Sequence, residues 1–175
     1  MNEATEFNLR RKSAYADRVQ MVGNVPLFSW LDLSVTDLCG RQCVFCPRID
    51  PNIYPNQNLH MDLELANLIA YDLHDLEYEG VVVLSGFGEP TLHPEIVDLV
   101  ACFGKKVRVE LVTNGDVLTP DLVHALISAG VDYFVVSLYD GPHQIELFKK
   151  VFVGVSQDQY ALRDRWYGAE VDFGL

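Results

Sequence analysis

The sequence predicts an α/β fold built around one parallel sheet. From about residue 60 onward, short β-branched runs alternate with stretches whose apolar residues recur at helical spacing. A strand, helix, strand order requires crossover connections, which join parallel strands with right-handed turns. With 175 residues, of which 49% are hydrophobic, the chain can bury one core. We therefore predict one domain whose active groups lie at the carboxyl ends of the strands.

The first predicted strand and the first predicted helix are separated by a loop that contains cysteines. Residues 27–36 form an apolar run that is typical of a strand. Asp62 is a suitable N-cap for a helix that ends near Glu79 and Gly80. The apolar positions of this helix are Leu65, Leu68, Ile69, Leu73 and Leu76. The next four residues, Val81–Leu84, predict a strand that is covered on both faces.

A second helix and strand follow this buried strand. Pro94 fits a first helical position and Gly104 fits a C-terminal stop. The apolar residues between them are Ile96, Val97, Leu99 and Val100. Residues 107–113 then predict the third strand of the sheet.

The same pattern repeats in the last third of the chain. Residues 119–121, Thr-Pro-Asp, predict a helix start, and Gly130 predicts its end. Val131–Leu138 is the fourth predicted strand, and Pro142 begins a further helix. Residues 160–165 predict a fifth strand. We expect a core domain over residues 27–165, an N-terminal extension over residues 1–26, and a linker or truncated C-terminal region over residues 166–175.

Charge and composition exclude two classes of partner. The chain has 13 Lys and Arg against 25 Asp and Glu, a net charge of -12, which argues against a nucleic-acid partner. It contains no run of about 18 apolar residues and no secretory leader, so we expect a cytoplasmic protein without a membrane span. The cytoplasm also keeps thiols reduced. The basic triplet Arg10-Arg11-Lys12 is interpreted as a solvated helix face or tail.

Three cysteines carry the strongest functional signal. Cys39, Cys43 and Cys46 stand at spacing Cys-x3-Cys-x2-Cys directly after the first predicted strand. Cysteine thiolates are the usual ligands of iron-sulfur clusters, and three of them leave the fourth iron of a cubane without a protein ligand. The three cysteines therefore predict a 4Fe-4S site whose fourth iron is open to a small molecule.

A zinc site is the main alternative use of these cysteines. Structural zinc requires four closed ligands, and the fourth would have to be His60 or Cys102, neither of which stands at a familiar spacing. We interpret Cys102 as a core residue, because free cysteine is among the most buried residue types.

The cysteine loop, with aromatic Phe45 before the last cysteine, resembles the radical S-adenosylmethionine (SAM) superfamily, whose signature is Cys-x3-Cys-x-aromatic-Cys. The resemblance implies a partial (βα) barrel of the radical SAM type, with the three cysteines on the cluster and Phe45 beside SAM. The chain is most similar to the branch with a C-terminal auxiliary-cluster (SPASM/twitch-like) domain. No cysteine follows Cys102, so either the auxiliary-cluster domain is absent by truncation or the chain is a reduced member with only one cluster. Because about five strands are found instead of six, we expect a fragment or a chain that needs a partner.

The second strand ends in a motif that is similar to the Gly-Gly-Glu-Pro motif of the family. It reads Gly88-Glu89-Pro90, with Phe87 where the family often has glycine. The resemblance implies that Gly86 and Gly88 allow a close approach to the methionine part of SAM. It also implies that the Glu89 carboxylate pairs with the ammonium group of SAM.

The remaining strand ends supply the other predicted cofactor contacts. Asn114 follows the third strand, within an ordinary turn sequence. In the family, a serine at the end of the fourth strand and an arginine on or after the fifth help hold the SAM carboxylate, and Ser137 and Arg163 match in order and approximate spacing. Arg165 is the alternative for Arg163, since it falls on the same face of a strand. The alternative interpretation, that both arginines are solvated surface residues without a role in binding, has equal weight.

The resemblance implies an enzyme that cleaves SAM reductively and forms a 5'-deoxyadenosyl radical, which abstracts hydrogen from a substrate. The substrate is a small molecule, a sugar or aminocyclitol, or a peptide, and a flavodoxin- or ferredoxin-like protein donates the electron. The alternative is a non-catalytic binding domain that is stabilised by a zinc or iron-sulfur site.

Overall fold

The computed structural model describes residues 3–16 and 19–166. The chain begins with helix α1, Glu3–Ala16, and a two-stranded antiparallel hairpin of β1, Met21–Val22, and β2, Val25–Pro26. Both precede the predicted core domain. Within the described residues, none of the helices combines the length and apolar character that a membrane crossing requires.

The predicted parallel α/β sheet is confirmed. Its five strands are β3, Trp30–Leu33; β4, Val81–Leu84; β5, Arg108–Thr113; β6, Val131–Leu138; and β7, Tyr160–Asp164. They pair in chain order and all neighbours are parallel. Each crossover therefore moves the chain by one strand in the same direction, which gives the arrangement of a partial barrel.

Four helices cover the convex face of this sheet. They are α2, Leu63–Asp75; α3, Ile96–Phe103; α4, Pro120–Ala129; and α5, His143–Val151. Alternate strand residues such as Leu84, Leu111 and Phe134 are buried against them. The intervening residues face the concave side, and this alternation separates the apolar core from the polar side of the sheet.

The helix starts follow the predicted caps in two cases. Asp62 Oδ1 accepts a hydrogen bond from Leu65 N over 2.7 Å, and Thr119 Oγ1 accepts one from Leu122 N over 3.2 Å. Each side chain satisfies a backbone donor that the first helical turn leaves unpaired.

Other predicted boundaries were wrong. Pro94 lies in a turn and α3 begins at Ile96, because His93 Nδ1 accepts a hydrogen bond from Glu95 N before the helix starts. Helix α2 ends at Asp75, and Glu77 turns the chain with a positive φ of 48°. The first strand is also shorter than predicted, since regular pairing covers only four residues.

The basic triplet is solvated only in part. Arg10 is exposed, but the prediction was wrong for Arg11. Arg11 Nη1 donates to Glu110 Oε2 over 3.1 Å, and Tyr15 donates to Glu110 Oε1 over 3.1 Å. The guanidinium of Arg11 also lies 4.9 Å from the centre of the Trp30 ring. Helix α1 is thus fastened to the strands of the sheet.

Candidate active site at the carboxyl ends of the strands

One cavity of about 300 Å³ lies at the carboxyl ends of β3 to β7. The cysteine loop, the loop after β4 and the ends of β5, β6 and β7 contribute to its wall. The structure brings every site residue predicted from the sequence to this cavity. They are Cys39, Cys43, Phe45, Cys46, Gly86, Gly88, Glu89, Asn114, Ser137 and Arg163, together with the alternative Arg165.

The cysteine loop presents three free thiols that are each half-buried. Hydrogen bonds fix its backbone, because Cys39 N donates to Asn56 Oδ1 and Cys46 N donates to Cys43 O, both over 2.9 Å. Burial raises the pKa of Cys39 and of Cys43 above its usual value. The neutral thiol is therefore favoured over the thiolate at both residues.

The donor set fits an iron-sulfur cluster. Three thiols on one short loop face one cavity, and thiolates are the protein ligands of such clusters. Within the described part of the chain, no three His, Cys, Asp or Glu side chains lie close enough together to hold one metal ion. The three thiols are therefore not arranged as the ligand set of a single ion. The assignment of Cys39, Cys43 and Cys46 as ligands stays a prediction.

Arg48 holds the cysteine loop against the loop after β4, a role that sequence reasoning missed. Its side chain is 2% exposed. The guanidinium donates to the backbone oxygens of Asp37 and Phe87, and to Asn56 Oδ1 over 3.0 Å. It also lies over the ring of Tyr54. A buried charge is costly unless it is fully hydrogen-bonded, so these acceptors fix the relative position of the two loops.

Glycine is required where these two loops touch. A Cβ on Gly88 would lie 1.7 Å from the carbonyl oxygen of Thr36, and the next amide, Glu89 N, donates to Leu38 O over 2.8 Å. Gly86 has a φ of +118°, which L side chains rarely adopt. Both glycines therefore follow from the close packing of the loop after β4 on the cysteine loop.

Glu89 is almost entirely buried and is held by neutral donors. Its Oε1 accepts from Thr91 N, Thr91 Oγ1 and Thr113 Oγ1, at 3.1, 2.7 and 2.6 Å, and its Oε2 accepts from Asn114 N over 2.7 Å. Burial raises the pKa of this carboxyl, and the four hydrogen bonds oppose that shift. The predicted contact with an ammonium group stays a prediction, and Oε2 is the oxygen with only one protein donor among the described residues.

Ser137 and Arg163 lie side by side on the concave face. They are partners in the register of β6 and β7, and Arg163 Nη2 donates to Ser137 Oγ over 2.7 Å. Arg165 follows the end of β7 and lies over the Phe45 ring, with its guanidinium carbon 5.7 Å from the ring centre. Both arginines reach the cavity, and Arg163 is the one bonded to the predicted serine.

Tyr139 is a further cavity residue that sequence reasoning missed. Its ring stacks on Phe45 with the centroids 6.1 Å apart, and the guanidinium of Arg41 lies 5.1 Å from its centre. Burial raises the pKa of Tyr139 to about 12. The tyrosine therefore stays neutral and supplies an apolar wall next to Cys43.

Comparison with known proteins agrees with this geometry. The Radical SAM superfamily matches residues 33–161. The chain is 28% identical, over 79% of its length and 53% of the relative, to the S-adenosyl-L-methionine-dependent 2-deoxy-scyllo-inosamine dehydrogenase of Niallia circulans. It spans between 32% and 53% of the lengths of the curated relatives it matches.

Solved structures show the same fold. The crystal structure of BtrN in complex with AdoMet and 2-DOIA matches with a TM-score of 0.68 and 25% identity, over 79% of this chain and 57% of that one. Streptococcus suis SuiB bound to the precursor peptide SuiA matches with a TM-score of 0.51 and 17% identity, over 86% of this chain and 33% of that one, which concerns the fold alone. The cysteine motif, the five-stranded parallel sheet and the family match agree, and the chain belongs to the radical SAM superfamily.

Proposed function

We propose that this protein is a radical SAM enzyme. When bound, a 4Fe-4S cluster supplies one electron to SAM, which cleaves into methionine and a 5'-deoxyadenosyl radical that takes a hydrogen atom from the substrate. A flavodoxin- or ferredoxin-like protein provides the electron. The observation that carries the proposal is the convergence of the three cysteines and the predicted SAM contacts on one cavity.

The residues of this chain bind and orient the cofactors. Cys39, Cys43 and Cys46 hold the cluster through their thiolates. The buried carboxylate of Glu89 offers Oε2 to the SAM ammonium, in a charge-assisted hydrogen bond. Arg163 and Ser137, which are already hydrogen-bonded to each other, receive the SAM carboxylate.

The other wall residues limit the access of water to the cavity. Phe45 and Tyr139 form an aromatic wall that suits the flat face of a nucleoside. The missing side chains of Gly86 and Gly88 let the loop after β4 pack closely on Ser34 and Thr36, and this packing fixes the backbone that lines the cavity. Exclusion of water protects a reactive radical from side reactions.

The substrate class is proposed from the relatives. One relative is named as a dehydrogenase of 2-deoxy-scyllo-inosamine, and SuiB was solved with a precursor peptide. We propose a small polar molecule of the sugar or aminocyclitol kind, or a peptide, as the substrate. The net charge of -12 disfavours a nucleic acid.

The test is anaerobic reconstitution with iron and sulfide. We expect about four iron and four sulfide per chain, a brown protein, and 5'-deoxyadenosine formation when a reductant and SAM are added. Replacing Cys39, Cys43 or Cys46 by alanine abolishes cluster binding. Cys102→Ala is the matched control, since Cys102 packs against the core on α3 and its Sγ donates to Asp98 O over 3.3 Å.

A colourless protein with bound zinc would instead support the non-catalytic alternative. The structure gives that alternative little support, because its candidate fourth ligands are engaged elsewhere. His60 is hydrogen-bonded through Nδ1 to Thr36 and through Nε2 to Asn58, both over 2.9 Å. Cys102 is on a helix of the convex face.

A further inference from the structure

The cysteine loop is tied to two other loops by one side chain, Arg41, which lies between the first two cysteines. We propose that Arg41 is a positioning residue that latches the cysteine loop onto the ends of β5 and β6, and so keeps the cluster from being released. The inference rests on the proposed function, because it concerns how this chain holds the cluster.

The latch consists of two bidentate ion pairs, one from Arg41 to Asp116 and one from Arg41 to Asp140. Arg41 Nε and Nη2 donate to Asp116 Oδ2 and Oδ1 over 2.7 and 2.6 Å. Arg41 Nη1 and Nη2 donate to Asp140 Oδ1 and Oδ2 over 2.8 and 2.6 Å. All three guanidinium nitrogens are therefore engaged. A planar guanidinium matches two carboxylates in this way, whereas the single ammonium of lysine does not.

Both aspartates are themselves fixed to their loops. Asp116 N donates to Asn114 Oδ1 over 2.9 Å, in the turn after β5. Asp140 accepts from Gln144 Nε2 over 3.0 Å, and Asp140 N donates back to Gln144 Oε1 over 2.9 Å. The latch thus closes on an Asp140 carboxylate that Gln144 already holds and on an Asp116 whose backbone is fixed in its turn, which reduces the entropy cost that weakens most surface ion pairs.

The latch is coupled to the cluster ligands through the backbone. Arg41 N donates to Cys39 Sγ over 3.4 Å, and Cys43 is two residues further along the loop. Arg41 is 20% exposed, against 37% for Asp116 and 50% for Asp140. The latch therefore lies at the rim of the cavity, where its removal leaves the apolar core intact. Arg48 anchors the loop on its other, buried side.

The experiment compares Arg41→Gln with Arg10→Gln in the full chain. Arg10 is a matched control, because it is an exposed arginine that pairs with Glu6 on α1 over 3.8 Å. The reconstituted proteins are mixed with an iron chelator, and the loss of visible absorbance is followed. We expect Arg41→Gln to lose its cluster about tenfold faster than the unchanged protein, and Arg10→Gln to match the unchanged protein.

A variant series identifies the partners. Arg41→Lys keeps the charge but not the geometry, so we expect an intermediate rate. Asp116→Asn and Asp140→Asn each give part of the effect, and combining both with Arg41→Gln adds nothing further, because the three side chains form one unit. Full additivity of the three changes would overturn the latch.

A second measurement needs no cluster. In the metal-free protein, we expect hydrogen exchange of the Cys39 and Cys46 amides to become faster in Arg41→Gln. The midpoint of urea unfolding of the protein should stay unchanged. If neither exchange nor cluster release responds to Arg41→Gln, the latch is wrong and the proposed function stands. If the unchanged protein binds no cluster, both inferences fail.

Discussion

The two ends of the sheet each bury one glutamate, and they do so in opposite ways. Glu89, at the carboxyl end, is 4% exposed, and its four donors are neutral groups from Thr91 in its own loop and from Thr113 and Asn114 at the end of β5. Glu110, on β5 near the amino end, is 1% exposed and accepts from Arg11, Tyr15 and Arg108. The first negative charge remains uncompensated by a cation at these contacts, while the second is paired.

This difference separates a ligand site from a structural contact. A charge that the protein leaves uncompensated can meet a cation from a ligand, and the cavity beside Glu89 is where we propose that the SAM ammonium binds. A charge that Arg11 neutralises has no such role. It fastens α1 to the sheet, and breaking a buried pair is costly since the remaining charge stays desolvated.

The largest expected effect comes from Glu110→Gln. The change removes the negative charge between Arg11 and Arg108, so we expect the free energy of unfolding to fall by about 3 to 5 kcal/mol. Urea unfolding measures it, and Trp30 fluorescence reports whether α1 detaches, because Arg11 and Tyr15 contact that ring. Glu146→Gln, on the exposed side of α5, is the control. Equal stability of both variants would show that α1 is held in another way.

Gly88→Ala tests whether the carboxyl end depends on close packing of neutral groups. The new Cβ would lie 1.7 Å from the Thr36 carbonyl, so the two loops must separate, at a cost of about 3 kcal/mol. Gly40→Ala is the matched control, because nothing lies within 4 Å of a Cβ built there. We expect loss of stability and of cluster binding in the first variant only. Normal cluster content in Gly88→Ala would contradict the close contact.

Glu89→Gln makes the same substitution at the other buried carboxylate. Both carboxylate oxygens of Glu89 accept hydrogen bonds, but the NH2 group of glutamine can only donate. It must therefore face another donor, either a threonine or the Asn114 amide, and we expect the free energy of unfolding to fall by about 1 to 3 kcal/mol. The loss should be smaller than for Glu110→Gln, since no cation is left unpaired. If matched urea titrations show a larger loss for Glu89→Gln than for Glu110→Gln, the proposed difference between an uncompensated and a paired glutamate is wrong.

The smallest expected effect is the pH dependence that Glu89 contributes to stability. Its pKa is raised in the folded protein, so the folded state binds the proton more tightly than the unfolded chain does. The stabilising contribution is complete below the ordinary carboxyl pKa and is lost as the pH rises through the raised value. The stability gap between the unchanged protein and Glu89→Gln should therefore narrow with rising pH. A gap that widens would mean that hydrogen bonding outweighs burial.

Local sequence indicated the succession of strands and helices along the chain, and it supplied the residues that we propose for the candidate site. β-branched runs such as Val81–Leu84 and caps such as Asp62 act over a few residues, so their physics can be read from neighbouring positions. The cysteine spacing and the Gly88-Glu89-Pro90 motif are local as well. The predicted ends of helices were wrong at two places. The end of α2 and the start of α3 depend on hydrogen bonds within turns, and the spacing of apolar residues does not show these bonds.

Tertiary structure alone decided which charged side chains meet. Arg11 reaches Glu110 and Arg41 reaches Asp140, and each pair is separated by 99 positions in the chain. Arg48 meets the carbonyl of Phe87 because two loops fold onto each other, and the donors of Glu89 from β5 arrive through strand pairing. Sequence periodicity reports which face a residue occupies, but the partner of a charge depends on chain crossings that bring distant strand ends together.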